Sequence, residues 1–516
     1  MSAIKQAIVS TKNGKLEGSL EDGLYVFKGI PYAEPPVGKR RWLPTQPVKK
    51  WSGVRPAKQY GPIAPQNLMP IPIPGGPMYG NDKQDEDCLS LNIWTPGLDD
   101  ARRPVLFWIH GGAFIIGAGC ESTLGFGTLP RRGDIVMVSI NYRLGVFGFM
   151  NLKEVTGGKI TATGNEGLLD QVTALDWVVA NIKAFGGDPD NITVSGFSAG
   201  GMSTGDLLGM PLARGKFRKA VNRSGSANVV GSVESAVKIS EKLLEILHLT
   251  SKDIDALQRL NVKQLMDTQQ ELQLRLRESE QRATPFQPVI DGKVLPEWPL
   301  AAIKKGAAKN IPIIAGTSLD ELKMSSTIDP ATRNLDEAGL SQRLNSLLPA
   351  RMVPDFITVY RSALKKRGGK DSPAEIWGTI STDYLFRIPT IRLVELQRDN
   401  GAPAYNYLFT LRSPALGGAL GAMHGLDNPF LFGCLDKEFS GNGPEEQALA
   451  TKIQDSTIAF LRTGDPSCKS IGKWPVYGKE RMTMVLDKQT RVEAAPYEDE
   501  RRVWDEYVDI VSSRPL

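Results

Sequence analysis

Ser198 stands in Gly196-Phe197-Ser198-Ala199-Gly200, a serine flanked at one residue's remove by glycines. A serine hydroxyl is a weak nucleophile alone. It needs a base beside it, an acid to orient the base, and donors for the oxyanion that forms on the attacked carbonyl. Gly-x-Ser-x-Gly is short enough to arise by chance, so the pattern counts only if the rest of the chain supplies those parts. The chain has three histidines. His248 lies in "EKLLEILHL", among leucines at helical spacing, where a packed or solvated helix position is expected. His110 precedes the serine. His424, in "GAMHGLDNPFLFG", follows a strand-like run and sits in a loop with Gly425 and Pro429. Where a nucleophile rides on a strand–turn–helix elbow its partners follow as acid and then histidine, so His424 is the expected base.

The acid should lie between the two. "IIAGTSLDELKM" offers Asp320 and Glu321 directly after the strand-like run 311–316. Either could accept the proton on the far imidazole nitrogen. The pair also suits the start of a helix with Ser318 as its cap, and spacing does not choose between the two carboxylates. "HGGAF" (110–114) after another strand-like run brings consecutive glycines, which let backbone amides approach a substrate closely. With the amide of Ala199 they would form an oxyanion hole.

These residues need a framework to hold them. "PVLFWI" (104–109) and "IVMVSIN" (135–141) are continuous apolar runs of the kind found in strands buried on both faces. "GLLDQVTALDWVVANIKAF" (167–185) sets Leu168, Val172, Leu175, Val179 and Ile182 on one helical face, and Gly186-Gly187 stop it. "NITVS" (191–195) reads as a strand and "AGGMSTGDLLGM" as a helix start, which gives Ser198 the context an elbow requires. Asn13-Gly14 and Asp22-Gly23 mark two-residue hairpin turns near the N-terminus. The Pro/Gly/Met-rich stretch 64–82 reads as a surface or binding-site loop, with Met69, Met78 and Phe114 as candidate apolar liners. Charged helical segments fill about 231–310 and 325–400, with strands at 311–316 and 404–410. No Gly/Ser-rich linker or repeat divides the chain, so residues 1–516 are expected to form one α/β unit with helical insertions.

The composition narrows the partners. The chain has 62 basic and 57 acidic residues, a formal charge of +5, without long runs of one sign. Nucleic acid and membrane surfaces are disfavoured. Cys88, Cys120, Cys434 and Cys468 are scattered, with neither metal-ligand spacing nor a disulfide framework. The opening residues lack the apolar core of a secretory signal. A cytoplasmic location is expected, as a monomer or small homo-oligomer acting on a small molecule without metal or cofactor.

Beyond these parts, most of the chain resembles the type-B carboxylesterases of the α/β-hydrolase fold, relatives of the cholinesterases. The likeness rests on "FKGIPYAEPPVGKRRW" (27–42), "EDCLSLNIWTP" (86–96), "HGGAF", "NYRLGVFGF" (141–149), the run 164–193, "MHGLDNPFLFG" (423–433) and "WPVY" (474–477). The resemblance implies a central, mostly parallel sheet flanked by helices, with insertions capping an active-site gorge. It implies Ser198 as nucleophile, Glu321 rather than Asp320 as acid, His424 as base, and Gly112, Ala113 and Ala199 as oxyanion donors. It also puts Ser224, in "NRSGS" (222–226), near the acid. Three departures stand out. Phe197 replaces the glutamate that such enzymes usually carry before the nucleophile. Ala64 in "GPIAPQ" replaces the cysteine that pairs, in secreted relatives, with the one matching Cys88. No Trp lies between Trp51 and Trp94, where cholinesterases hold a quaternary ammonium. The expected activity is hydrolysis of small or medium carboxylic esters through an acyl-enzyme. Carbamate or amide hydrolysis by the same triad is the nearer alternative, and a non-catalytic binding protein of this type the more distant one.

Overall fold

The computed structural model describes residues 7–67, 83–121, 123–278 and 285–507. Met69, Met78 and most of the 64–82 stretch lie outside the described residues. The organising element is an eleven-stranded sheet. In chain order its strands are β1 (Ser19–Glu21), β2 (Leu24–Pro31), β3 (Ser90–Thr95), β4 (Arg103–Ile109), β5 (Val136–Ile140), β6 (Gly187–Phe197), β7 (Lys219–Arg223), β8 (Ile313–Ser318), β9 (Ala404–Phe409), β10 (Met482–Leu486) and β11 (Arg491–Ala494). Their spatial order is β11-β10-β9-β8-β7-β6-β4-β5-β3-β2-β1. The stretch from β10 to β5 is parallel throughout. Antiparallel strands finish both edges.

The parallel strands are buried on both faces, as their uninterrupted apolar runs require. Val105, Phe107 and Ile109 of β4 join one core cluster, and Leu106 and Trp108 join the cluster on the opposite face. Each such side chain contributes about 1.5–3 kcal/mol by leaving water. A third cluster, from Leu340 to Ile391 together with Trp504, gives the second helical insertion its own core.

Helix α1 (Glu166–Asn181) is followed by a short 3-10 turn that ends at Gly186 with φ +74°. Leu168, Val172, Leu175 and Ile182 of the apolar stripe read in the sequence are buried. Val179 is exposed, whereas Val178, Asp170, Gln171 and Asn181 are buried. Asp170 can be buried because Arg143 holds it with a forked pair of hydrogen bonds. The Asp22-Gly23 turn joins β1 to β2 in two residues, both at positive φ. Asn13-Gly14 differs: the flanking strands pair Ser10 with Lys15, leaving a four-residue loop closed by Thr11 and Gly14.

The chain leaves β4 for β5 on one side and leaves β6 for β7 on the other. The sheet's topological switch point therefore lies between β4 and β6. The crevice outside the carboxyl ends of strands at such a point is where ligands bind in open α/β sheets.

Candidate active site

The segment after β6 carries Ser198, and the segment after β4 carries "HGGAF". Ser198 has φ +56° and ψ −123°, a region that non-glycine residues avoid at a cost of about 1–3 kcal/mol. Close packing enforces it. A Cβ on Gly196 would lie 2.2 Å from the Gly200 carbonyl oxygen, and one on Gly200 would lie 2.0 Å from that of Ile109. The Ser198 amide donates to the Arg223 carbonyl at the end of β7, 2.9 Å away. Helix α2 (Ala199–Gly209) begins immediately.

His424 reaches this elbow from the loop beyond β9. Its Nε2 is 2.8 Å from Ser198 Oγ, and its Nδ1 is 2.5 Å from Glu321 Oε2. Glu321 is buried, and its other oxygen accepts the Ser318 amide at 2.7 Å. Asp320 turns elsewhere: its carboxylate accepts the Ala422 amide and its backbone bridges to Met423, which fastens the acid's turn to the histidine's loop. Ser318 belongs to β8 and caps no helix. The choice that spacing left open is thus resolved geometrically: Glu321, not Asp320, faces the imidazole.

Gly112, Ala113 and Phe114 follow one another at positive φ, +110°, +52° and +61°. Among the described residues, no acceptor takes the amides of Gly112, Ala113 or Ala199. Those donors are free for a developing charge, and Ala199 adds the positive end of the α2 dipole. A Cβ on Gly111 would sit 3.0 Å from that of Ser198, so this loop passes directly against the elbow.

The other histidines are accounted for. His110 is buried, stacks on Tyr142 at 4.4 Å, and bonds the Gly111 carbonyl through Nδ1. Burial holds it down to about 4, so it stays neutral at ordinary pH. His248 lies exposed beyond the helix Val233–Ile246, at φ +54°. Ser224 is buried at φ +45°, and its amide bonds the Gly316 carbonyl. Its hydroxyl meets no partner among the described residues, so it makes no hydrogen bond to Glu321.

Phe197 fills with a ring the place of the expected carboxylate. It packs on the His424 imidazole with centroids 4.5 Å apart, and Phe386 packs on the same imidazole at 4.9 Å. Phe386 comes from a π-helical turn, Asp383–Arg387, inserted between helices α3 (Pro373–Thr382) and α4 (Ile388–Asp399). A forked Asp383–Arg387 pair holds that turn, and Tyr360 donates to the same aspartate. Sequence reasoning missed Phe386, Arg223 and Asp427. The last two form a buried ion pair at 2.6 Å beneath the site. A Pro one residue past Phe386-Arg387-Ile388 was the only local signal near the turn, and it marks a helix start rather than a π-turn.

All four cysteines are free thiols, Cys88 among them. Among the described residues, no cluster of His, Cys, Asp and Glu could hold a metal ion, and no helix is long and apolar enough to cross a membrane.

The chain is similar to known proteins over nearly its whole length. The model of the carboxylesterase family matches residues 5–504. The chain is 36% identical to para-nitrobenzyl esterase of Bacillus subtilis over 502 residues, 96% of this chain and 98% of that one. It is also 36% identical to phenmedipham hydrolase of Pseudarthrobacter oxydans, over 92% of this chain and 93% of that one. The solved structure of a Geobacillus stearothermophilus carboxylesterase superposes with a TM-score of 0.86 at 37% identity, covering 97% of this chain and all of the other.

Proposed function

Because this chain belongs to the carboxylesterase family and hydrolyses carboxylic esters, we propose that its turnover is carried by Ser198, His424 and Glu321. His424 takes the Ser198 proton through Nε2 as Oγ attacks the ester carbonyl. Glu321, on Nδ1, fixes the tautomer and stabilises the imidazolium as it forms. The amides of Gly112, Ala113 and Ala199 receive the oxyanion, each donor worth about 3 kcal/mol to the transition state. His424 then protonates the leaving alcohol and activates the water that releases the acid. The observation that carries this reading is the unbroken relay from Ser198 Oγ through His424 to Glu321, with free amides beside it.

Phe197 and Phe386 bracket the imidazole with apolar surface, which supports small or medium uncharged esters as substrates. The helical segments within 231–310 and 325–400 cap the site, and residues 1–516 act as one unit. The four free thiols suit a reducing compartment, in keeping with a cytoplasmic enzyme. Cleavage of a carbamate by the same residues is the second reading, and it draws on the relative named phenmedipham hydrolase.

The test is hydrolysis of p-nitrophenyl esters of increasing acyl length by wild type and Ser198→Ala. Turnover of the variant should fall by about 10⁴-fold or more with unchanged circular dichroism. Near-wild-type turnover would remove Ser198 from the mechanism. A carbamate of matched leaving group, run alongside, reports on the second reading.

A further inference from the structure

The geometry points to Arg223 as a positioning residue for the Ser198–His424 contact, acting through its buried ion pair with Asp427. The inference rests on Ser198 and His424 being the reacting pair. Arg223 holds one partner with its backbone and the other with its side chain. Its carbonyl accepts the Ser198 amide at 2.9 Å. Its Nη2 donates to Asp427 Oδ2 at 2.6 Å and to the Asp427 carbonyl at 3.2 Å. Asp427 is three residues past His424, at the start of helix α5 (Asn428–Phe432). The Tyr407 hydroxyl, from β9, donates to the same Oδ2 at 3.0 Å. Arg223 is also in register with Phe197 on the adjoining strand, so neighbouring strand ends reach the histidine loop together.

The pair is poorly explained as a device for stability. Arg223 and Asp427 are 4% and 0% exposed, and burying two charges costs as much as their attraction returns unless every remaining polar atom is satisfied. Here Arg223 Nε and Asp427 Oδ1 have no partner among the described residues. What the pair does provide is a fixed span between the elbow and the histidine loop. A displacement of about 1 Å between reacting groups can lower a rate about 100-fold, so a span of this kind acts directly on proton transfer from Ser198.

Asp427→Asn, Arg223→Lys and the double variant Arg223→Met/Asp427→Leu distinguish positioning from a purely structural role. Each is assayed for kcat, KM and Tm on a p-nitrophenyl ester, with Ser198→Ala beside them. In the single variants kcat should fall about tenfold or more while KM stays within about threefold. The apolar double variant should recover the stability lost by the singles and leave kcat low. The proposal is overturned if kcat returns with stability in the double variant, or if Asp427→Asn keeps wild-type kcat. Should the double variant not fold, the singles decide: a raised KM with intact kcat overturns it. Substantial turnover by Ser198→Ala would instead refute the triad itself.

Discussion

The two ends of helix α2 follow opposite rules. At its start, Ser198 is strained, the flanking glycines leave no room for a Cβ beside carbonyl oxygens, and the Ser198 hydroxyl and amide both have partners. Near its other end, Asp206 is completely buried and neither carboxylate oxygen has a partner. Desolvation pushes its pKa well above the ordinary carboxylate value, and the negative end of the helix dipole lies close by. Burial therefore favours the neutral acid form of Asp206 in the folded protein. Both ends hold an unfavourable feature, but only the first places it under the proposed nucleophile.

The sharpest test of this contrast is Ser198→Gly. Turnover should vanish, since the hydroxyl is gone, while stability rises by about 1–2 kcal/mol as the positive φ becomes free of strain. Urea denaturation beside Ser198→Ala checks it, because alanine keeps the strained Cβ and should gain less. Next comes Asp206→Leu. For an acid whose pKa is raised on folding, the pH-dependent part of the cost is absent below its unfolded value, near 4, and grows as pH rises above it, because the unfolded chain ionises more readily than the folded one. The variant should gain about 1–3 kcal/mol at pH 7, and the gain should shrink as pH falls toward 4. A gain independent of pH would mean that Asp206 is ionised or partnered in the fold. The smallest effect belongs to His248, which is exposed. His248→Asn suits its left-handed backbone and should change stability by less than about 0.5 kcal/mol and leave kcat/KM unaltered.

The same contrast explains what could be read from the sequence. Ser198 and His424 were legible because chain order and a choice of three histidines constrain them, and the parallel strands because uninterrupted apolar runs have few other destinations. Glu321 and Asp320 are neighbours of one chemical type. Only the turn after β8, which sends one to the imidazole and the other to the Ala422 amide, tells them apart. Val179, the one exposed member of its apolar stripe, and Asp170, buried with Arg143 as its partner, are departures that a helical period alone does not record. Arg223–Asp427 joins residues 204 positions apart, a pairing that no local pattern records. Phe386 depends on a π-turn, for which the sequence shows no period.

That π-turn has a consequence for how this chain can change over generations. A π-turn is a helix carrying one surplus residue. Losing a single codon between 383 and 387 would leave a regular, well-bonded helix, so the lesion would be invisible to any measure of helical content. The flanking helices would keep close to their present phase, because the surplus residue is what the bulge absorbs, and the change would fall on the turn itself. The Asp383–Arg387 fork would be lost, and Phe386 would swing away from the imidazole. Substitutions can adjust this wall of the site in small steps, whereas a deletion here removes it in one.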